Sequence, residues 1–521
     1  MKMRASLCSV AAVLAVWQGV VRADTLKVGQ GLQYATIEEA LSNTMPGDVV
    51  EVQGGQTYKG TINLREGYGG TADKPVTVRG IPVNGMRPVL SGVGTGYNNM
   101  VLLLNANHFV MESFEVIGDA SDSSYCIVHK ADDVTLRDFV IHNCLHQGGL
   151  VGNDFGSGSL TVEYSEFYHN GGGSKGGSAG DHQIYMATDE EMYPGSVFRI
   201  QFCYVHDGLG GNNVRSRAER NEIYYNWVEG AFYHELDLVG PIDKDDLPLR
   251  EDSDIVGNVL IKKNSQWRIA RVGGDGDGNT AGRYRFANNT MIMAGNSSTV
   301  ISLQNTVETL ELYNNVIFAP KAGIDVYDVN EQIGPDTLLF GANNWVFSGM
   351  TSIPKEWTGT IQGTDPGFVD AAKFDLRPTM SSPLIDKGIT DTVSTGPMGF
   401  PRALLLPTHH PPQHVSLPIG TADGRNNQGA PDLGAFEANA SAPGDPPQKP
   451  PPEVVGNPDG GNAGGTGNGN AGSGNSNSGD GSGGDKSGCG CHVAGRTSGS
   501  PVSWLAASAA ALAFVRRRRR R

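Results

Sequence analysis

The sequence predicts an all-β solenoid, a parallel β-helix of stacked coils closed at its start by a short helix. The first observation behind this is a returning phrase of polar residues, Asn or Asn-Asn, then an apolar step. It occurs as IHNC at 141–144, FYHN at 167–170, YYNWV at 224–228, VGNVLI at 256–261, FANNTMIM at 286–293, LYNNVIF at 312–318 and GANNWVF at 341–347, mostly 26–32 residues apart. Units of that size cannot bury their own apolar face and must stack. The second is the run of short β-branched segments between them, such as VTLRDFVIHN and TLELYNNVIF, too short for bundle or membrane helices. The third is the scarcity of the Asn-Gly turns that a sandwich or propeller of paired hairpins would prefer.

Taken in order, residues 1–23 read as an export signal. Lys2 and Arg4 precede the apolar run Leu7–Val21, and cleavage is expected after Ala23. Residues 24–437 form the solenoid with its closing segment. Its opening stretch supplies a strand, a helix at 36–43 with Ile37 and Ala40-Leu41 on one face, and the strand VVEV after the Gly47-Asp48 turn. Such a helix would cover the open apolar end of the first coil. Residues 438–488, rich in Pro, Gly, Asn and Ser, cannot form a core and read as a flexible linker. Residues 489–521 carry Cys489, Cys491, the apolar stretch Pro501–Val515 and six terminal arginines. That order of thiols, short apolar run and basic stop reads as a sorting tail in contact with a membrane.

The chain holds 40 Lys+Arg against 55 Asp+Glu, a formal net charge of −15. Nine of the positive charges lie at the termini: Lys2, Arg4, Arg22 and the arginines 516–521. The body is therefore strongly acidic, which argues against a nucleic-acid partner. A local basic groove for an acidic polysaccharide remains compatible with it. Of the six cysteines, Cys8 leaves with the signal and Cys489 and Cys491 lie in the tail. Cys126, Cys144 and Cys203 remain, too few for a disulfide framework; Cys126 and Cys144 either pair between coils or pack as free thiols.

Three coils carry long insertions, at 171–181, 238–253 and 273–282. Insertions in repeats collect as loops on a working face, which puts the site near residues 180–275. Strand alternation then aims side chains. Val214, Ser216, Ala218, Ile184, Met186, Phe232, Leu236, Trp267 and Ile269 suit the interior. Gln183, Tyr185, Asn213, Arg215, Arg217, Tyr233, Glu235, Asp237 and Arg268 then point outward, with His182 and His206-Asp207 at the margin and His234 inward or near a turn. This stripe suits an acidic sugar: elimination from a uronate needs the carboxylate neutralised and the C5 proton removed. Arg215, Arg268 or bound calcium would supply the charge, and Asn213, Arg217, Tyr233 and Arg271 would hold the chain. His234, His182 or an arginine in a low-dielectric groove are the candidate bases, a histidine being chemically easier. Tyr185 would protonate the leaving oxygen. A solvated ladder of opposite charges would look the same in sequence. Hydrolysis would instead need two carboxyls across the bond, for which Glu235, Asp237 and Asp207 are the only nearby set.

For calcium, Asp275-Gly-Asp277-Gly-Asn279 has alternating oxygens, but Thr280 and Phe286 stand where a helix-flanked calcium loop needs Gly and Glu. Glu235 and Asp237 are a second candidate pair. His409, His410 and His414 sit in a Pro-rich loop.

The GTADKPVTVRG stretch and the coils resemble the pectate-lyase-like superfamily of right-handed parallel β-helices, with some likeness to chondroitinase-B-like and alginate-lyase enzymes. TDPGFVD…FDLRPTMSSPLIDKG and GAPDLGAFE resemble the closing segment of bacterial surface β-helix proteins. Residues 488–521 resemble the C-terminal sorting domain of myxobacterial surface proteins, which implies processing near Cys489 or Cys491 by sorting machinery. The tail's resemblance implies display at the cell surface, associated with the outer membrane or released, and the chain is expected to be a monomer. It would act on an extracellular polysaccharide as a lyase, or else bind a cell-surface glycan without catalysis.

Overall fold

The computed structural model describes residues 23–92, 100–118, 125–145, 148–153, 155–172, 180–241, 252–264, 267–275, 282–304, 306–329, 337–391, 403–445 and 448. The export signal up to Arg22, Asp277, Asn279, Cys489, Cys491 and most of each insertion lie outside them. The chain forms a right-handed parallel β-helix. Three long parallel sheets of 12, 10 and 12 strands run along it, and successive coils contribute one strand to each. Sheet one runs from Thr25–Val28 to Leu338–Ala342, sheet two from Ile62–Leu64 to Asp325–Val329, and sheet three from Thr57–Lys59 to Ile361–Gly363.

The expected opening helix spans Ile37–Leu41. Thr36 accepts from the Glu39 amide in a capping box, and Ile37, Ala40 and Leu41 are buried. Along each coil the inward residues alternate with outward ones, and Val134, Leu136, Leu160, Val162, Phe198 and Ile200 lie in one continuous core. Among the described residues no helix is long and apolar enough to cross a membrane.

From the strand Phe109–Glu112 to Leu338–Ala342, a two-residue turn joins sheet one to sheet three in each coil. Its first residue is left-handed, as at Tyr164, Phe202, Tyr225, Gly257, Asn288, Asn314 and Asn343. Its second points inward, and from Asn226 onward it is always asparagine. The Oδ1 of Asn226 accepts from Cys203 N at 3.0 Å, that of Asn258 from Asn226 N at 2.8 Å, and those of Asn289, Asn315 and Asn344 each from the previous turn at 2.9 Å. Each Nδ2 donates back to a strand carbonyl, such as Asn258 to Ile223 O at 2.8 Å. Buried turn amides that no strand can serve are thus paired. Gly257 fills the one left-handed position where a β-carbon would meet the Tyr225 ring, at 2.9 Å. Its neighbours Tyr164, Phe202 and Tyr225 bear the strain but stack, with centroids 4.9 and 5.3 Å apart.

The recurring phrase therefore marks two turns, not one. IHNC and FYHN lie at the next corner, after sheet three, where Cys144 N donates to Asn170 Oδ1 at 3.0 Å. Cys126 and Cys144 are disulfide-bonded and Cys203 is a buried free thiol. The insertion limits also shift. Leu238 and Val239 end the strand Leu236–Val239, and Asp252 and Ser253 begin the strand Asp252–Val256. Packing continues past Glu437, with Ser441 Oγ donating to Asp423 Oδ1 at 2.7 Å.

Asn258→Ala removes the acceptor of Asn226 N and strands several buried groups, so it should lower the unfolding free energy by about 2–4 kcal/mol. Urea titration followed by circular dichroism checks this.

Candidate functional site

Parallel register lines up one outward residue per coil on sheet two. Tyr185 pairs with Arg215, Arg215 with Asp237, Asp237 with Arg271, Arg271 with Ser302 and Ser302 with Asp328. Adjacent members lie about 4.8 Å apart along the axis. Charge alternates along the row, and opposite charges on facing strands attract. Arg271 grips Asp237 with two bonds, Nε to Oδ1 at 2.5 Å and Nη2 to Oδ2 at 2.8 Å. Arg215 donates to Asp237 from one side and to Asp275 from the other, the latter at 2.5 Å. Arg217 reaches the same Asp275 oxygen at 2.6 Å, and its Nε donates to the Tyr185 hydroxyl at 3.1 Å. Arg215 also lies over the Tyr185 ring, 5.5 Å from its centroid.

Burial alone would raise the Asp237 pKa, but the Arg271 and Arg215 guanidiniums hold its carboxyl far below the usual range. Asp275 is likewise lowered, burial being outweighed by Arg217 and Arg215. Burial works against the charge on Arg215, and Asp237 and Asp275 reverse it, so this side chain stays protonated.

Two histidines flank the row. His182 accepts from Asn212 N through Nδ1 at 2.9 Å, and His234 accepts from Arg268 N through Nδ1 at 3.2 Å. A backbone N–H only donates, so each neutral ring carries its proton on Nε2. Burial, reinforced by Arg215, keeps His182 well below its ordinary pKa, and burial pushes His234 down to about 3. Both rings therefore present an N–H, and neither has a free nitrogen to serve as a base. Asn212, which sequence reasoning passed over, ties the corner together. Its Nδ2 donates to Asp237 at 2.8 Å and its Oδ1 accepts from His234 N at 2.9 Å.

Several outward assignments are corrected. Asn213, Gln183 and Glu235 are fully buried, because each sits at the corner before its strand, where pleat alternation has not begun. They form an internal polar thread: Asn170 Nδ2 to Gln183 at 3.2 Å, Gln183 to Asn213 at 2.8 Å, Asn213 to Glu235 at 2.7 Å, and Glu235 to Lys262 at 3.5 Å. Burial raises the Glu235 pKa to about 7, with Lys262 pulling the other way. Asn213 thus cannot touch a ligand, and Glu235 faces the interior. Phe232 and Trp267, expected inside, are 36% and 40% exposed. Arg268 stands apart from the other arginines, paired with Asp328 at 2.6 Å beside His234, Tyr233 and Trp267. His206 belongs to a different corner, bonded to Glu166 at 3.1 Å. His409, His410 and His414 separate. His410 is buried on Asp423 at 2.8 Å, His409 packs on Phe202, and His414 meets Glu229 at 2.8 Å.

Of the proposed calcium ligands, Asp277 and Asn279 lie outside the described residues, and the other three carboxylates already hold protein partners. Asp237 is filled by two guanidiniums and Asn212, Asp275 by two guanidiniums, and Glu235 by Asn213, the Ala231 amide and Lys262. Among the described residues no group of three or more His, Cys, Asp or Glu gathers that could hold a metal ion.

No family model and no curated protein matches this sequence. Solved structures of similar fold include a pectate lyase, 13% identical at a TM-score of 0.48 over 81% of this chain and 98% of that one. An alginate lyase from Paenibacillus is 18% identical at 0.36 over 65% and 99%. A polysaccharide lyase from Pseudopedobacter saltans is 13% identical at 0.40 over 65% and 91%. These likenesses concern the fold; the chemistry rests on the side chains above.

His129, His234 and His410 sit at about 4, 3 and 4, all lowered by burial. The folded state thus binds fewer protons than the unfolded chain below the ordinary histidine value, and stability should be full above about pH 6.5 and fall as pH drops toward 4, by about 1.4 kcal/mol per pH unit for each proton. Glu235, raised to about 7, opposes this with one proton of the other sign. His410→Gln should flatten the slope of unfolding free energy against pH by one proton, read from urea midpoints between pH 4.5 and 7.

Proposed function

We propose that this chain is a polysaccharide lyase that cleaves a uronate-containing glycan by β-elimination. The observation that carries the reading is the row Tyr185–Arg215–Asp237–Arg271, with the phenolic oxygen of Tyr185 held by Arg217 Nε. Arg215 and Arg271 are partly exposed and keep N–H groups beyond those bound to aspartate, suited to the substrate carboxylate. Pairing there makes the C5 proton more acidic and meets the charge of the enolate. The Nε2–H groups of His182 and His234 are available as further donors.

Because both imidazoles commit Nδ1 to the backbone, the proton falls to Tyr185. Starting as the phenolate, with its charge met by the Arg215 and Arg217 guanidiniums, its oxygen takes H5 to become the phenol, and the phenol gives that same proton to the glycosidic oxygen, which restores the phenolate. The C5–H and C4–O bonds break and a C4=C5 double bond forms. Hydrolysis is disfavoured, since Asp237 is sealed by arginines and Glu235 is paired inside the solenoid. We place the activity outside the cell, on the strength of the export signal ending at Ala23 and the tail at 489–521. A noncatalytic glycan-binding role is the second reading, favoured by the thorough pairing of Arg215 with two aspartates.

The full chain incubated with a panel of uronate polymers should generate the ultraviolet absorbance of an unsaturated uronate. Tyr185→Phe should cut kcat by about 10²–10⁴-fold with KM little changed. Binding without absorbance on any uronate polymer would sink elimination and support the second reading. An undiminished rate in the Tyr185 variant would remove that residue from the step. Because the carboxylates are already filled by arginines, a chelator should alter the rate less than about twofold, a check on the metal-free chemistry.

A further inference from the structure

Beside the charged row lies a group of aromatic side chains that the solenoid does not use for its core. Trp267 and Phe232 are 40% and 36% exposed, and Tyr233 lies between them. The Tyr233 ring is 4.6 Å from Trp267 and 5.2 Å from Phe232, centroid to centroid. None of the three belongs to the buried core clusters.

The backbone sharpens the point. Trp267 has φ +68°, a left-handed conformation that strains any residue bearing a β-carbon and a bulky one most. The conformation is held from both sides: Ser297 Oγ donates to Trp267 O, and the next amide, Arg268 N, donates to His234 Nδ1 at 3.2 Å. Glycine would adopt this backbone without cost. A tryptophan that is both strained and exposed gains little for folding, and such strain gathers at working sites.

The surroundings indicate what it would meet. Arg268, immediately next in sequence, is partly exposed and braced on Asp328 at 2.6 Å. Arg271 of the charged row is four residues on, no more than about 14 Å along the chain. A flat aromatic surface beside guanidiniums complements a polymer that presents both carboxylates and apolar C–H faces. Nucleobases also stack, but their phosphates would face a strongly acidic body.

We propose that Phe232, Tyr233 and Trp267 form a stacking subsite for the apolar face of a pyranose ring. That ring belongs to an acidic glycan and lies away from the bond that reacts at Tyr185. The nature of the glycan rests on the lyase reading; the stacking surface does not require that the bond be cleaved.

The test uses the full chain and hexamers of galacturonate and of mannuronate, with affinity measured by calorimetry. Trp267→Gly should weaken binding of the preferred hexamer by about tenfold, since one aromatic contact is lost. Because glycine accepts the left-handed backbone, Tm should stay within about 3 °C of the native value. Trp267→Phe should restore most of the affinity. Unchanged affinity in the glycine variant, binding of neither hexamer by the native chain, or a fall in Tm of more than about 10 °C would overturn the subsite, the last by showing Trp267 to be a packing residue. Binding that depends on Trp267 without unsaturated product would leave the subsite standing and remove the lyase. Product formation with affinity indifferent to Trp267 would do the reverse.

Discussion

The structure depends on pairing the amides that a coiled chain buries at its corners. A strand's N–H groups find partners in the neighbouring coil automatically, but a turn that interrupts the strand leaves buried donors with nothing opposite. The chain meets this with a left-handed residue followed by an inward carboxamide. Asn226, Asn258, Asn289, Asn315 and Asn344 each accept from the turn of the preceding coil and donate to a strand carbonyl. Because one carboxamide contacts only the next, the ladder fixes how far each coil advances and leaves no freedom for a coil to slip by one residue. A one-residue slip would exchange inside for outside along every strand above it.

The site inherits its geometry from that constraint. Tyr185, Arg215, Asp237 and Arg271 face one another only because four coils are in register. Directly inside them runs the second polar thread, from Asn170 through Gln183 and Asn213 to Glu235 and Lys262. Asn212 and Asn213, adjacent in sequence, serve the two sides of this wall. Asn213 completes the thread, whereas Asn212 fixes Asp237, His182 and the His234 backbone. A buried Glu235–Lys262 pair is weak evidence for stability, because taking both charges out of water offsets their attraction. Its bonds to Asn213, the Ala231 amide and the Ala231 carbonyl suit it better to setting the shape of the corner.

Architecture was legible because it repeats. Seven occurrences of the Asn phrase outvote local ambiguity, and the helix at Ile37–Leu41 shows its apolar face and capping box in consecutive letters. The outward row was legible at Tyr185, Arg215 and Asp237, which lie within their strands, where period two holds; reading Trp267 as inward gave Arg271 the wrong face, and only its pairing with Asp237 puts it in the row. It failed at strand edges. Asn213 and Glu235 sit one residue before their strands and turn inward, while Phe232 and Trp267, read as core from hydrophobicity alone, turn outward. Asp328 and Asn212 were missed for another reason. Their roles depend on partners 60 and 25 residues away, Arg268 and Asp237, and no local pattern announces such a pairing. The tie of each histidine Nδ1 to a backbone amide was equally invisible, and it is what separates a ring that can accept a proton from one that can only donate.

The arginines also gain from being braced. An unsupported guanidinium on a long side chain must be ordered before it can hold a substrate carboxylate, at a cost in rotamer freedom. Here Asp237 grips Arg271 through two bonds, and Asp275 joins Arg215 to Arg217, so the donors stand in place before any ligand arrives. The aspartates neutralise most of the charge, yet they leave its direction. Asp237 is fully buried, whereas Arg215 and Arg271 remain partly exposed. A lysine in these positions would provide one mobile charge instead of a planar fork with spare donors. The same pairing that resembles a solvated charge ladder in sequence is thereby half-buried and in register, which under the proposed function preorganises it for a planar anion.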